Sequence, residues 1–219
     1  RLLLKDGHVG FAETQLQIVI KAAALVEPGR VAAYLRLREM AATGRPEEHR
    51  LLEARFGEFY GMDGHSPPPG AVLALLQTIT RPVTPATYVS LLTALAGLDD
   101  TQSRNGRLRT GLASQLVSLR DEGCPIYAGH VTRFFGITVP ETGDREYRIA
   151  LYLDQLEGIN RTYMGWATSP GFCRATAMLC ERIPGLATCH PVRVCDMLVE
   201  TVVRRWDQAA ASGRRPPGK

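Results

Sequence analysis

The chain has 219 residues, enough to bury a core as one good-sized domain or two small lobes. Its 45% hydrophobic and 22% charged content is that of a soluble globular protein, and no apolar run approaches the roughly 20 residues that span a bilayer. The net charge of +4 is mildly basic, which admits a nucleic-acid partner without demanding one. No charged-then-apolar leader opens the chain, and Arg1 stands where methionine would start it, so the native start is expected upstream and the compartment is expected to be the cytoplasm.

Taken in chain order, the apolar spacing is helical. Leu16, Val19, Ile20 and Ala23 fall at i, i+3, i+4 and i+7. The loop 61–70 follows, with Pro67 to Pro69 in a row, and is expected either to separate two helical lobes or to form a stiff surface loop. Val72, Leu75, Leu76 and Ile79 form the next stripe. Thr84 and Pro85 read as an N-cap and first helical position before Tyr88, Leu91, Leu92 and Leu95, with Gly97 as the stop. Leu112, Leu116 and Leu119 come next, then the long stripe Tyr152, Leu156, Ile159, Tyr163 and Trp166. Phe172, Ala175, Leu179 and Ile183 end before Pro184-Gly185. Cys195, Leu198, Val199, Val202 and Trp206 line a last helix opened by Pro191. Each stripe reads as core rather than as a cofactor box. No alternating run suggests a strand, so the expectation is an all-α protein of eight to ten short helices.

The five cysteines, Cys124, Cys173, Cys180, Cys189 and Cys195, show no C-x-x-C spacing and read as reduced thiols. Cys189-His190 comes nearest to a metal pair but reads as a helix-entry loop. The pairs Glu47-Glu48 and Asp99-Asp100 sit in polar linkers and read as solvated. No phosphate-loop, H-E-x-x-H or G-x-S-x-G signature is present. Positive charge is clustered, however. Residues 101–120 hold Arg104, Arg107, Arg109 and Arg120 and no acid. Arg204, Arg205, Arg214, Arg215 and Lys219 lie near the C-terminus, where "SGRRPPGK" cannot hold a helix. A turn "RLRTGLAS" leads into an apolar helix whose free N–H groups, with Gly111 and the nearby arginines, suit a phosphate.

The segment "GLASQLV…PIYAGHVTRFF" resembles the active-site segment of the helix-hairpin-helix DNA glycosylase superfamily, in its 8-oxoguanine-glycosylase-like branch. In that family a G-x-G hairpin begins a helix that binds the DNA backbone. Bifunctional members carry a lysine two residues after the second glycine, and a later P-[VI]-x-D motif supplies a catalytic aspartate. Here the hairpin is Gly111-Leu112-Ala113, the lysine position is Gln115, and the motif is Pro125-Ile126-Tyr127-Ala128. The stretch "HPVRVCDMLVE" from His190 is weakly similar to the closing helix of related helical proteins.

The resemblance implies a two-lobed, multi-helix glycosylase-like fold in one domain, with a helix-hairpin-helix element, lobes about 1–66 and 71–212, and a basic tail 213–219. Gln115 has no nucleophilic amine, so no Schiff base and no strand cleavage are expected. The implied activity is that of a monofunctional DNA glycosylase, hydrolysing the N-glycosidic bond of a flipped modified base to leave an abasic site. Its target would be a damaged base in repair or a hypermodified phage base in antiviral defence. The family's aspartate stabilises positive charge on the sugar and directs water, which Ala128 cannot do. Ala128 therefore reads as an inactivating Asp→Ala substitution, with a natural, non-catalytic DNA-binding helix-hairpin-helix module as the alternative.

The implied DNA contacts are Arg107, Arg109, Thr110, Gly111, Leu112, Ala113, Ser114, His130 and Arg133. The implied base pocket draws on Phe56, Phe59, Tyr60, Asp63, His65, Tyr127, Tyr163 and Trp166. No organic cofactor or metal is expected, apart from a monovalent cation at hairpin carbonyls. The expected partner is double-stranded DNA, bound by a monomer. A helical scaffold with no DNA role is the third class.

Overall fold

A computed structural model describes residues 9–43, 48–60, 70–98, 108–138 and 142–212. Arg104, Arg107, Asp63, His65, the triple proline, Glu47, Asp99-Asp100 and the tail 213–219 lie outside these described residues. Among the described residues there are ten α-helices and no strand, in agreement with the all-α expectation. They are α1 (Val9–Ala22), α2 (Pro28–Thr43), α3 (His49–Tyr60), α4 (Ala71–Thr78) and α5 (Pro85–Leu98). The second half holds α6 (Thr110–Arg120), α7 (Gly129–Phe135), α8 (Arg145–Ala167), α9 (Pro170–Arg182) and α10 (Pro191–Ala211).

Most residues of the stripes read from the sequence are buried, while Ile20, Ala175 and Trp206 are partly exposed at the core's edge. Leu91, Leu92 and Leu95 of α5 and Tyr152, Ile159 and Tyr163 of α8 are all inaccessible to solvent. Two helices are the most deeply buried, α6 along nearly its whole length and α10 through its first half. Helices α2, α4 and α5 pack against α6. Helices α1, α7 and α8 pack against α10. Helix contacts cross the loop 61–70 in both directions, because α3 packs on α4 while α1 packs on α9 and α10.

Local chemistry sets the starts of the last three helices. Asp144 accepts from the Tyr147 N–H at α8, Ser169 from Phe172 at α9, and His190 Nδ1 from Val192 at α10. Pro170 and Pro191 occupy the first helical positions. His190 is thus a cap, as the helix-entry reading of Cys189-His190 expects, and all five cysteines are free thiols. Gly97 does not stop its helix, which runs on to Leu98, since a single glycine only lowers helix propensity. Gly136, with a positive φ of 64°, does end α7 as a left-handed cap.

Candidate functional site

The loop 121–128 carries the chain from α6 to α7 and is bound on both sides. Its Glu122 carboxylate accepts from the Tyr34 hydroxyl at 2.8 Å, from Arg38 at 2.8 Å and from the His190 N–H at 3.0 Å. Burial would raise that carboxyl, but these donors outweigh it and hold it below its ordinary value. Further on, the Ile126 N–H donates to Asp196 of α10 at 3.1 Å, and the Tyr127 N–H donates to Ser114 Oγ of α6 at 2.8 Å. Ser114 in turn donates to the Gly111 carbonyl at 2.8 Å. A Cβ at 111 would meet the Tyr127 carbonyl oxygen at 3.3 Å, so only glycine lets the two segments come this close without displacement. The two halves of the sequence motif are therefore one hydrogen-bonded unit.

Ala128 ends the loop in extended conformation at the N-cap position of α7. Its carbonyl accepts from Val131 and Thr132, but it has no side-chain group to cap the helix. Three later helices have such a cap and this one does not.

Ala128 opens onto a cavity of about 490 Å³, within the usual size range of ligand sites. Gly111, Leu112 and Gln115 of α6 line one wall, and Gly129 and His130 adjoin Ala128. Arg30 and Tyr34 of α2 and Phe59 and Tyr60 of α3 line the opposite side. The face of α10 with Arg193, Asp196 and Glu200 completes it. No lysine is among the lining residues.

The charges around this cavity are paired. Arg193 and Asp196 are each 2% exposed and bridge at 3.0 Å. Burial pushes the Asp196 carboxyl up, against the pull of Arg193, the Ile126 N–H and Tyr163. Arg30 bridges Glu200 at 2.7 Å and lies 3.6 Å above the Phe59 ring, a cation–π contact at the cavity wall. Burial lowers His130, with Glu200 partly opposing, so its imidazole is neutral at pH 7. The Tyr34 and Tyr60 hydroxyls are raised by burial and remain protonated donors.

Of the positions singled out by sequence, Gly111, Leu112, Gln115, Ala128 and His130 come together here, with Phe59 and Tyr60 facing them. Others do not. Phe56 is fully buried and packs on Tyr60. Trp166 stacks on Phe135 in a separate aromatic cluster that also holds Tyr163. Tyr127 is 2% exposed and donates to Gln155. These four aromatics belong to the core: Phe56, Tyr163 and Trp166 lie on the buried faces of their helices, and Tyr127 of the loop is held by Gln155 and packs edge-on against Tyr152. The side chains of Thr110, Leu112, Ala113 and Ser114 are buried too, so of this turn only backbone and Gly111 remain for a DNA strand. Arg109 is half-buried beside them, and Arg133 is exposed and pairs with Asp207 of α10.

The carbonyls of Arg109, Thr110 and Gly111 accept from the Ala113 N–H, the Tyr152 hydroxyl and Ser114 respectively. This turn does not present a free set of carbonyls, and its residues do not fit the expected monovalent cation. Among the described residues no group of three or more His, Cys, Asp or Glu side chains is placed to hold a metal, and no helix is long and apolar enough to cross a membrane.

Sequence reasoning missed Arg30, Tyr34, Arg193, Asp196 and Glu200. The last three carried a signal. They recur at i, i+3 and i+7 of one helix, between the apolar residues Val194, Cys195, Met197, Leu198 and Val199, so a polar stripe runs through the apolar first half of α10. Searches against protein-family models, curated proteins and solved structures return no match to this chain.

Proposed function

We propose that this chain binds duplex DNA with one nucleotide turned out into the cavity, and that it is built as a monofunctional DNA glycosylase with alanine at the acid position. One observation supports this reading above the others. Gly111, Gln115 and Ala128, the three positions the resemblance selects, share the wall of a single cavity large enough for a nucleoside.

The chemistry follows from what lines that wall. Cleaving an N-glycosidic bond sends the bonding electrons to the base, leaves positive charge at the sugar C1′, and adds water there. A carboxylate at 128 would stabilise that charge, and an N-cap is a favourable place for one, because the α7 N–H groups and helix dipole stabilise its ionised form. Gln115 can position a ligand by hydrogen bonding but cannot form a Schiff base, so the strand would stay intact. The base is a damaged one met in repair or a hypermodified one met in phage DNA.

The test restores the acid. Ala128→Asp, incubated with DNA carrying damaged or hypermodified bases, is expected to give abasic sites that break only on alkaline treatment. The Ala128 protein is expected to give none. If Ala128→Asp stays inactive on every such DNA while duplex binding persists, the non-catalytic binding module is the better reading, and the missing side-chain cap at 128 is then native to it. Absence of salt-sensitive duplex binding refutes both and leaves a helical interaction domain.

A further inference from the structure

Arg30 of α2 presents a flat surface to the cavity, and its neighbours fix that surface in place. Its guanidinium carbon lies 3.6 Å over the centroid of the Phe59 ring, a distance at which the two planes lie face to face. Its Nε and Nη2 both reach Glu200 Oε1, at 3.0 and 2.7 Å, which holds the plane from the α10 side. The side chain still is 27% exposed, and it lines the cavity. With one face on Phe59 and one edge on Glu200, the accessible part is the opposite face and the Nη1 edge. Phe59 itself is 9% exposed and also packs on Tyr34 and Tyr60. A ligand in the cavity therefore meets the guanidinium where the sequence suggests an aromatic ring. Net charge is not what Arg30 offers, because Glu200 matches it at close range. Arg204, half-exposed and only 3.7 Å from Glu27, is the better placed cation for a phosphate.

We infer that Arg30 is the base-stacking residue of the cavity, its guanidinium lying between the Phe59 ring and the face of the turned-out base. This rests on the proposed DNA reading. A planar, delocalised guanidinium stacks on π faces, those of nucleobases included. Turning a base out of a duplex forfeits its stacking there, and Arg30 restores one such contact inside the protein. Every base has a π face, so this contact places the base without reading its hydrogen-bonding edge. The base then lies between Arg30 and the α6 wall across the cavity, which carries Gly111 and Gln115. Lysine could supply the charge of Arg30 but not its plane.

The test compares the affinity of the intact chain for paired DNA duplexes. In one, a single base stands opposite a tetrahydrofuran abasic analogue, where extrusion costs least. In the other, both positions are tetrahydrofuran. Adenine, guanine, cytosine and thymine are placed at the base position in turn, and the ratio of affinities measures what the base itself contributes. At least one base-bearing duplex is expected to bind roughly five- to a hundredfold tighter than the base-free one. Arg30→Lys is expected to abolish that preference. Arg36→Lys, exposed beside Glu39 on the same helix, is expected to preserve it. A merely structural Arg30 would lower both affinities together and leave the ratio unchanged. That result overturns the inference, and so does equal binding of the two duplexes by the native protein. Where Arg30→Lys does not fold, NMR of the native protein decides. The Arg30 Nε–H, identified by cross-relaxation with the Phe59 ring, is expected to move upfield under the ring current of a stacked base, and only with a base-bearing duplex. An Nε–H unmoved by every base-bearing duplex overturns the inference. Salt-sensitive binding of both duplexes with no preference leaves the DNA reading standing, whereas binding of neither removes both.

Discussion

Asp196→Ala is the substitution that tests the architecture of the site most directly. The carboxylate is 2% exposed, bridges Arg193 at 3.0 Å and accepts from the Ile126 N–H at 3.1 Å. Removing it leaves a buried guanidinium without its counter-charge and a buried amide without its acceptor. Breaking a buried pair from one side costs about 3–5 kcal/mol, and the orphaned amide falls within that range, so we expect a loss of about 4 kcal/mol. For 219 residues, an unfolding entropy of about 2.1 cal/mol/K per residue gives about 0.46 kcal/mol/K, and the loss lowers Tm by about 9 °C. Urea unfolding followed by circular dichroism measures the free energy, and a thermal scan measures the shift. The double variant Arg193→Met with Asp196→Leu removes both charges and is expected to recover most of the loss, because apolar replacements of a buried pair are commonly neutral or stabilising. A cost under about 1 kcal/mol for Asp196→Ala, or a double variant no more stable than the single one, refutes the reasoning.

The remaining predictions concern the loop and the cavity mouth. Ser114→Ala deprives the buried Tyr127 N–H of its acceptor and is expected to cost about 1–3 kcal/mol in urea unfolding; a neutral result would mean that the α6–loop unit is not held as described. Glu122 has a folded value below its ordinary 4.5, so the stability it supplies is present above pH 4.5 and is lost as pH falls through the folded value. Glu122→Gln is expected to be less stable at neutral pH and to show a shallower decline in Tm between pH 5 and pH 3; an unchanged acid slope would contradict the assigned bonds. Arg204 lines the cavity and is half-exposed beside Glu27. If the cavity faces DNA, Arg204→Gln should weaken duplex binding and reduce the slope of log affinity against log salt by about one, and an unaltered slope would remove Arg204 from the interface.

Much of the fold could be read from the chain because helical periodicity is a local property. The stripes in α5, α8 and α10 repeat at 3.6 residues, and burying them needs no knowledge of which helix lies opposite. The cavity was legible only along one strip of its wall. Gly111, Gln115 and Ala128 are close in sequence and belong to one motif, so a short pattern found them. Arg30 and Tyr34 are far from it in the chain. They reach the cavity only because α2 packs on α6, and α2 has no distinctive stripe or motif to mark it. The aromatic candidates failed for the converse reason. Phe56, Tyr127, Tyr163 and Trp166 look equally suited to a pocket or a core, and only neighbouring helices decide which they join.

By itself, then, the sequence determined the all-helical class, the inward faces of most helices, the starts of α5 and α10, and the absence of an amine nucleophile at 115 and of an acid at 128. Each of these depends on residue identity and on spacing within a turn or two. The tertiary structure alone decided that Ser114 and Asp196 clasp the two sides of the loop before Ala128, and that Arg193 is buried beside Asp196. Those outcomes depend on burial and on partners up to seventy residues apart, which set the cost of an unmet hydrogen bond and which no local pattern encodes.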